Sequence, residues 1–262
     1  MRRLLLAACL SLSAAGMARA SDAGTADLSS RQCGLSTPYN VQVDGGGVWL
    51  YRGEGVPKEI FFHDGTLSVD HQVQVVSAAD AARLRRMEHQ ARALMPQVAD
   101  IARGSVDITF DALAGVMQVM TGSKRKVRKV ERRRRDAMAQ IDASLGKGRW
   151  DQDVFGETFE RNVEQVVEDM TGSLTRSALW AVFTGRADEL EARADRLDAG
   201  MDDMLATRTA ALERKAQALC TGVAALREQQ DALEYRYHGA PLPMLEPETD
   251  GRSASSGSVA TR

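Results

Sequence analysis

Apolar and polar residues follow two different rhythms along this chain, and the change falls near Ser77. Upstream, apolar residues alternate in short runs. Tyr39 to Val43 and Val48 to Tyr51 flank Asp44-Gly45-Gly46-Gly47, and Glu59 to His63 and Thr66 to Val69 flank Asp64-Gly65. Alternation puts every second side chain on one face of a strand. Asp-Gly suits a two-residue hairpin turn, where both central residues need positive φ. Val69-Asp70-His71-Gln72 reads as a second tight turn, with His71 in a left-handed position that His tolerates better than most residues. Leu67 and Val69 share a face, and Gln72 to Val76 alternates with Val73 and Val75 on one side. These segments predict four or five short antiparallel strands forming a meander over residues 38–76. A sheet with a single apolar face needs a cover.

Downstream the period lengthens to that of a helix. Ser77 is an N-cap candidate with Asp80 in the first turn. Leu84, Met87, Ala91 and Leu94 then recur at helical spacing. Pro96 is expected to stop or kink this helix and could open the next. Val98, Ile101, Val106, Phe110, Leu113, Met117 and Met120 carry the pattern to Gly122. Val127, Val130, Ala137, Met138, Ile141 and Leu145 mark a further amphipathic helix, broken at Gly146-Lys147-Gly148. Another is expected from Val154 to Leu174. The last pattern is the clearest. Leu190, Leu197 and Met204 are seven apart, and so are Leu205, Leu212, Leu219, Leu226 and Leu233. The one-residue shift between the two sets matches a straight helix of about 3.6 residues per turn better than a strict supercoil. It predicts a long bundled helix, continuous or broken at Gly200 or Gly222, with a short antiparallel coiled-coil hairpin as the alternative. The helical region spans 77–238. From Gly239 the prolines and then Ser, Gly and Ala predict a tail over 239–262 that is extended first and then disordered.

The first residues bear on compartment. Arg2 and Arg3, an apolar run from Leu4 to Met17, and Ala18-Arg19-Ala20 have the form of a signal peptide cleaved after Ala20, leaving 21–37 as an N-terminal segment. The run falls short of the ~20 residues that span a bilayer. Leu6-Ala7-Ala8-Cys9 imitates a lipoprotein box, but too little apolar chain precedes it. No later segment is apolar enough to cross a membrane. Export implies a periplasmic protein in which Cys33 and Cys220 are the remaining cysteines. Two thiols in an oxidising compartment are expected to pair, the alternative being two separate buried thiols. The mature chain has 34 Lys and Arg less the three of the leader against 36 Asp and Glu, so it is mildly acidic.

Against that background "KRKVRKVERRRR" stands out. Lys124, Arg125, Lys126, Arg128, Lys129, Arg132, Arg133, Arg134 and Arg135 are basic and only Glu131 is acidic. One reading is a solvated helix face partly neutralised within the protein, because Glu157, Glu160, Glu164 and Glu168 form an acidic stripe on the next expected helix. The other is a candidate anion-binding face for phospholipid or lipopolysaccharide phosphates or for an acidic partner. The run has no interleaved aromatics, so nucleic acid is not expected as a partner.

Other chemistry is sparse. His63, His71, His89 and His238 are scattered, with no His pair at i,i+4. With two mature cysteines and no His-Cys cluster, no zinc site is expected. The nucleophile-elbow, phosphate-loop and dinucleotide-binding motifs are missing, so neither a catalytic residue nor a cofactor is assigned. Asp44-Gly45-Gly46-Gly47 is followed by no helix and reads as a hairpin loop rather than a phosphate cradle. His63 and Asp64 are neighbours on a strand end and point to opposite faces.

Four blocks in succession are familiar: Cys33 shortly after the leader, "HDGTLSVDHQVQVVSAADAARL", "MPQVADIARGSVDITFDAL", and "LCTGVAALREQQDALE" followed by prolines. Together, over most of residues 33–245, the chain resembles the YggN-like periplasmic family, a domain of unknown function. It departs from that pattern at His71, where Gly is expected, and in the basic run. The resemblance implies an envelope protein of α+β build and supplies no reaction, substrate or catalytic residue. The expectation is therefore an α+β protein with a small N-terminal antiparallel β-meander packed on a mainly helical bundle. Its expected role is non-catalytic, in binding or interaction with an envelope protein. A peripheral binder of an anionic membrane surface and an envelope hydrolase are the alternatives.

Overall fold

The computed structural model describes residues 33–155 and 187–247, and over 187–203 the course of the helix alone. The leader, the acidic stripe Glu157, Glu160, Glu164 and Glu168, and residues 248–262 of the tail lie outside the described residues. The fold is α+β, as the two rhythms predict.

After a short strand β1 (Leu35–Ser36) come β2 (Asn40–Asp44), β3 (Gly47–Tyr51), β4 (Glu59–His63), β5 (Thr66–Val69) and β6 (Gln72–Gln74), each antiparallel to the one before within this sheet. A sixth strand, β7 (Arg149–Trp150), returns after two helices and pairs with the outer edge of β2. Asp64 and Gly65 have φ of 45° and 80°, and Asp70 and His71 have 47° and 64°, so both tight turns form as expected. The register sets Leu50 opposite Ile60 and Phe62 opposite Leu67, and these four are buried on the inner face. Each such side chain contributes roughly 1.5–3 kcal/mol by burial. On the other face Trp49 and Phe61 meet edge to face, with centroids 5.7 Å apart.

The last strand turns its valines outward. Val73 and Val75 are 73% and 97% exposed and do not join the core. The two-residue turn at Asp70-His71 pairs Val69 with Gln72 and Ser68 with Val73. Side chains alternate along a strand, so this register commits Val73 to the outer face with Ser68.

Helix α1 (Ala78–Thr121) begins where Ser77 accepts the Asp80 N–H and ends at left-handed Gly122. It does not stop at Pro96, which lies inside it. Pro96 is exposed, so the carbonyl it leaves unpaired faces solvent, while Leu94, Ala99, Ile101 and Ala102 on the inner side remain packed. Helix α2 (Lys124–Ala143) folds back along α1, capped by Ser123. A 3-10 turn, Leu145–Lys147, ends at Gly148, and here only glycine fits. A Cβ at Gly148 would stand 2.0 Å from the Val43 carbonyl oxygen.

The final helix, α3 (Ala187–Asp231), runs without a break through Gly200 and Gly222. It lies antiparallel to α1: a Cβ on Gly222 would meet Leu94, and one on Gly104 would meet Leu212. Gly222 costs helix propensity of about 1 kcal/mol. In return it lets the helices approach where any side chain would collide with Leu94.

The tail also needs correcting at its start. β8 (Arg236–Tyr237) and β9 (Ala240–Pro241) form a hairpin through His238 and Gly239, both of positive φ. Leu242 and Met244 then enter the core beneath the sheet, and β10 (Glu246–Pro247) pairs with β1. Pro241 and Pro247 sit in two-residue edge ladders, where a missing N–H is tolerated. The core around Tyr39, Ile60, Leu67, Val69, Leu84 and Leu233 is thus closed by the segment just after α3.

Candidate functional site

Cys33 and Cys220 form a disulfide with Cα atoms 5.0 Å apart. It fastens the first described residue to α3. Beside it lies a cavity of about 330 Å³ between the inner face of the sheet and the helices. Val43, Leu50 and Phe62 line it from the strands, Leu94, Met95 and Val98 from α1, and Leu219, Val223 and Leu226 from α3. Ile141, Leu145 and Trp150 close another side, and Met244 and Leu245 come from the C-terminal segment.

Few polar groups reach this space, and the amides that do are occupied. Gln152 donates from Nε2 to the carbonyls of Thr37, at 2.7 Å, and Tyr39, at 3.1 Å. Gln230 donates to the Leu245 carbonyl and accepts the Leu245 N–H at 2.7 Å. Both glutamines tie down the segments that carry β1 and β10. A molecule entering the cavity meets mainly hydrocarbon and sulfur, with Ser36, Thr37 and Trp150 as further polar residues and no cationic or anionic side chain among the lining residues.

Two buried carboxylates lie near the sheet end of α1, and both hold backbone. Asp80 accepts the N–H groups of Glu234 and Tyr235, at 2.8–3.0 Å, and an Arg83 N–H. Burial pushes its pKa up, but those donors outweigh burial and the net shift is downward. Glu88 accepts the Asp64 N–H at 2.8 Å, stands 2.8 Å from His63 Nδ1 and pairs with Arg92. Burial again raises its pKa, and the His63, Asp64 and Arg92 groups together bring it below the usual range. His63 is thereby joined to Glu88 rather than to its neighbour Asp64, which pairs with Arg85. These groups latch the β4–β5 hairpin and the chain after α3 onto α1. Among the described residues no group of three or more His, Cys, Asp or Glu could hold a metal ion. No helix there is long and apolar enough to cross a membrane.

The basic run lies on α2, and its residues part company. Arg134 turns inward, donating from Nε to Asp107 and from Nη1 to Asp111 on α1, at 2.9 and 2.7 Å. Arg208 of α3 pairs with the same Asp111. Lys126 is half-buried. Lys124, Arg125, Arg128, Lys129, Arg132, Arg133 and Arg135 are exposed. Partial neutralisation thus comes from the preceding helix, with one arginine taking part. The stripe expected to supply it lies outside the described residues.

The sequence reading missed the cavity. The one signal available was small residues, Ala91, Ala102 and Ala216, at inward positions of α1 and α3 where larger side chains would fill the space. Compared with known proteins, residues 33–245 match the family described as protein of unknown function (DUF2884). No curated protein and no solved structure matches the chain.

Proposed function

Since this chain belongs to the DUF2884 family, which brings no reaction with it, we propose on physical grounds that it is an exported, non-catalytic binding protein of the cell envelope that holds an uncharged apolar molecule in the cavity beside Cys33–Cys220. The observation that carries this reading is the combination of the cavity's size and lining. At about 330 Å³ it reaches the range of small-molecule sites. Its lining is almost wholly apolar and offers water few free polar partners. An apolar ligand would cover that surface and gain roughly 25 cal/mol for each Å² removed from water.

Two further features support export. Cys33–Cys220 is a bond that an oxidising compartment preserves. The leader pattern and the finer resemblance to the YggN-like periplasmic family point the same way. A non-catalytic role is supported by what lines the cavity, since no His, Asp, Glu or Lys among the lining residues stands ready to activate the Ser36 or Thr37 hydroxyl.

The test is binding of N-phenyl-1-naphthylamine, an uncharged dye whose emission rises in apolar surroundings. Saturable binding by the oxidised protein is expected. Ala102→Phe, which fills the cavity from α1, should lower the affinity at least tenfold while leaving a cooperative unfolding transition. No saturable binding, or equal binding by the filled variant, would remove the reading.

A further inference from the structure

The exposed part of α2 forms a second surface, separate from the cavity. At 100° per residue, Lys124, Arg125, Arg128, Lys129, Arg132, Arg133 and Arg135 sweep about half the circumference of the helix, and each is exposed. Asp136 lies within that arc and Asp142 at its edge, while Glu131, just outside it, stands 3.9 Å from Arg134. The opposite half is used up. Val127, Val130, Met138 and Ile141 pack against α1, and Arg134 is held by Asp107 and Asp111. The nearby acids Asp100 and Asp142 are both paired with Arg103. Among the described residues no ion pair neutralises the seven outer cations. In a chain whose formal net charge is −2, this is a strong local concentration of positive charge.

We propose that this outer half of α2 is a docking surface for an anionic phospholipid bilayer. Charge complementarity identifies the occupant. A membrane surface offers a plane of mobile phosphates that can gather under a broad arc of cations, and each Lys or Arg close to such a surface contributes about fivefold in partitioning, or ~1 kcal/mol. Nucleic acid suits the face less well, because α2 contains no aromatic residue on which a base could stack. The apolar half of α2 is buried in the protein and cannot enter the bilayer, so attachment is electrostatic and reversible. This distinguishes it from an inserting amphipathic helix, whose apolar face is free. It does not depend on the cavity having a ligand.

Flotation with phosphatidylcholine vesicles, with and without phosphatidylglycerol, tests the proposal. At low salt the full chain should float only with the anionic vesicles. At about 1 M salt, where the screening length falls to about 3 Å, it should be released. Replacing Arg125, Arg128, Lys129 and Arg132 together by Gln keeps good helix formers on the exposed face and should lower partitioning at least about a hundredfold. Arg134→Gln, which alters an inward-facing group, should leave partitioning within about twofold. The far-ultraviolet circular dichroism of both variants checks that the helices remain. The proposal fails if the wild-type chain does not float with anionic vesicles, if the quadruple variant floats as well as wild type, or if a duplex DNA at the same salt is bound more tightly than the vesicles.

Discussion

Helix α1 is held differently at its two ends. Near the sheet, Leu84 and Met87 are buried among Ile60, Phe62, Leu67 and Val69, with Leu233, Leu242 and Met244 closing from below. There the polar ties are buried carboxylates, Asp80 and Glu88, each accepting backbone N–H groups. At the far end the described core shrinks to Met117 and Val130, with partly exposed Phe110, Leu113, Ala114 and Val127 around them. The polar ties there are Arg134 with Asp107 and Asp111, all partly exposed. One continuous helix thus passes from a region secured by tertiary burial to one secured by a thin apolar seam and solvent-screened ion pairs. Opening free energies follow such differences in buried contact. The firm end carries the disulfide and the cavity, and the looser end carries the basic face.

The largest expected effect comes from cutting the covalent ring at the firm end. Cys33 and Cys220 are separated by 187 positions, and the chain-entropy relation gives up to about 5 kcal/mol for a loop of that order. Urea denaturation of the oxidised protein and of Cys220→Ser should differ by a large part of that amount. Coincident transitions would show that the ring contributes nothing to the firm end.

Next come two core truncations that set the ends against each other. Ile60→Ala should cost about 4 kcal/mol, because its neighbours are packed on every side and cannot collapse into the gap. Val130→Ala should cost about 2 kcal/mol, since the partly exposed residues around it can close up. Equal losses in urea denaturation would abolish the contrast.

The smallest effect sharpens the electrostatic side. Asp80→Asn should cost about 2 kcal/mol at neutral pH by weakening the charge-assisted bonds to Glu234, Tyr235 and Arg83. The pKa of Asp80 is depressed in the folded state, so its stabilisation is fully present above the unfolded value. It is lost as pH falls below 3.8, its ordinary value, through the lower folded one. Glu88 adds to the same acid loss by the same sign. The wild-type urea midpoint should therefore fall more steeply than that of Asp80→Asn over this acid range. Parallel curves would mean that Asp80 is not the latch described.

Much of the fold was legible because the relevant signals are local. Alternation and Asp64-Gly65 specify a hairpin, Ser77 marks a helix start, and the leucine series in the last helix runs on regardless of its glycines. The disulfide could be anticipated from counting alone. The errors have local causes too. Pro96 carries a strong breaking tendency, but its placement on the exposed side let the packed side continue. Alternation put Val73 and Val75 on one face but left open whether that face is inward. The tail's prolines suggested disorder, whereas Leu242 and Met244 had a core to enter. Beyond the small residues Ala91, Ala102 and Ala216 the cavity left no trace in the sequence, because its walls come from strands, three helices and both ends of the described chain, and no short motif contains them.

From the residue order alone came the rhythm of each element, the two turns that need positive φ, the amphipathic character of α2 and the availability of two cysteines for pairing. All of these depend on chemistry within a few residues or on composition. Only the tertiary structure decided which face of β6 looks outward, why Gly222 is tolerated, which acids hold Arg134, and that an apolar space remains between sheet and helices. Those outcomes depend on register and approach distance between segments remote in sequence. There, a shift of one residue turns a side chain to the opposite face, and the absence of a single Cβ lets two helices touch.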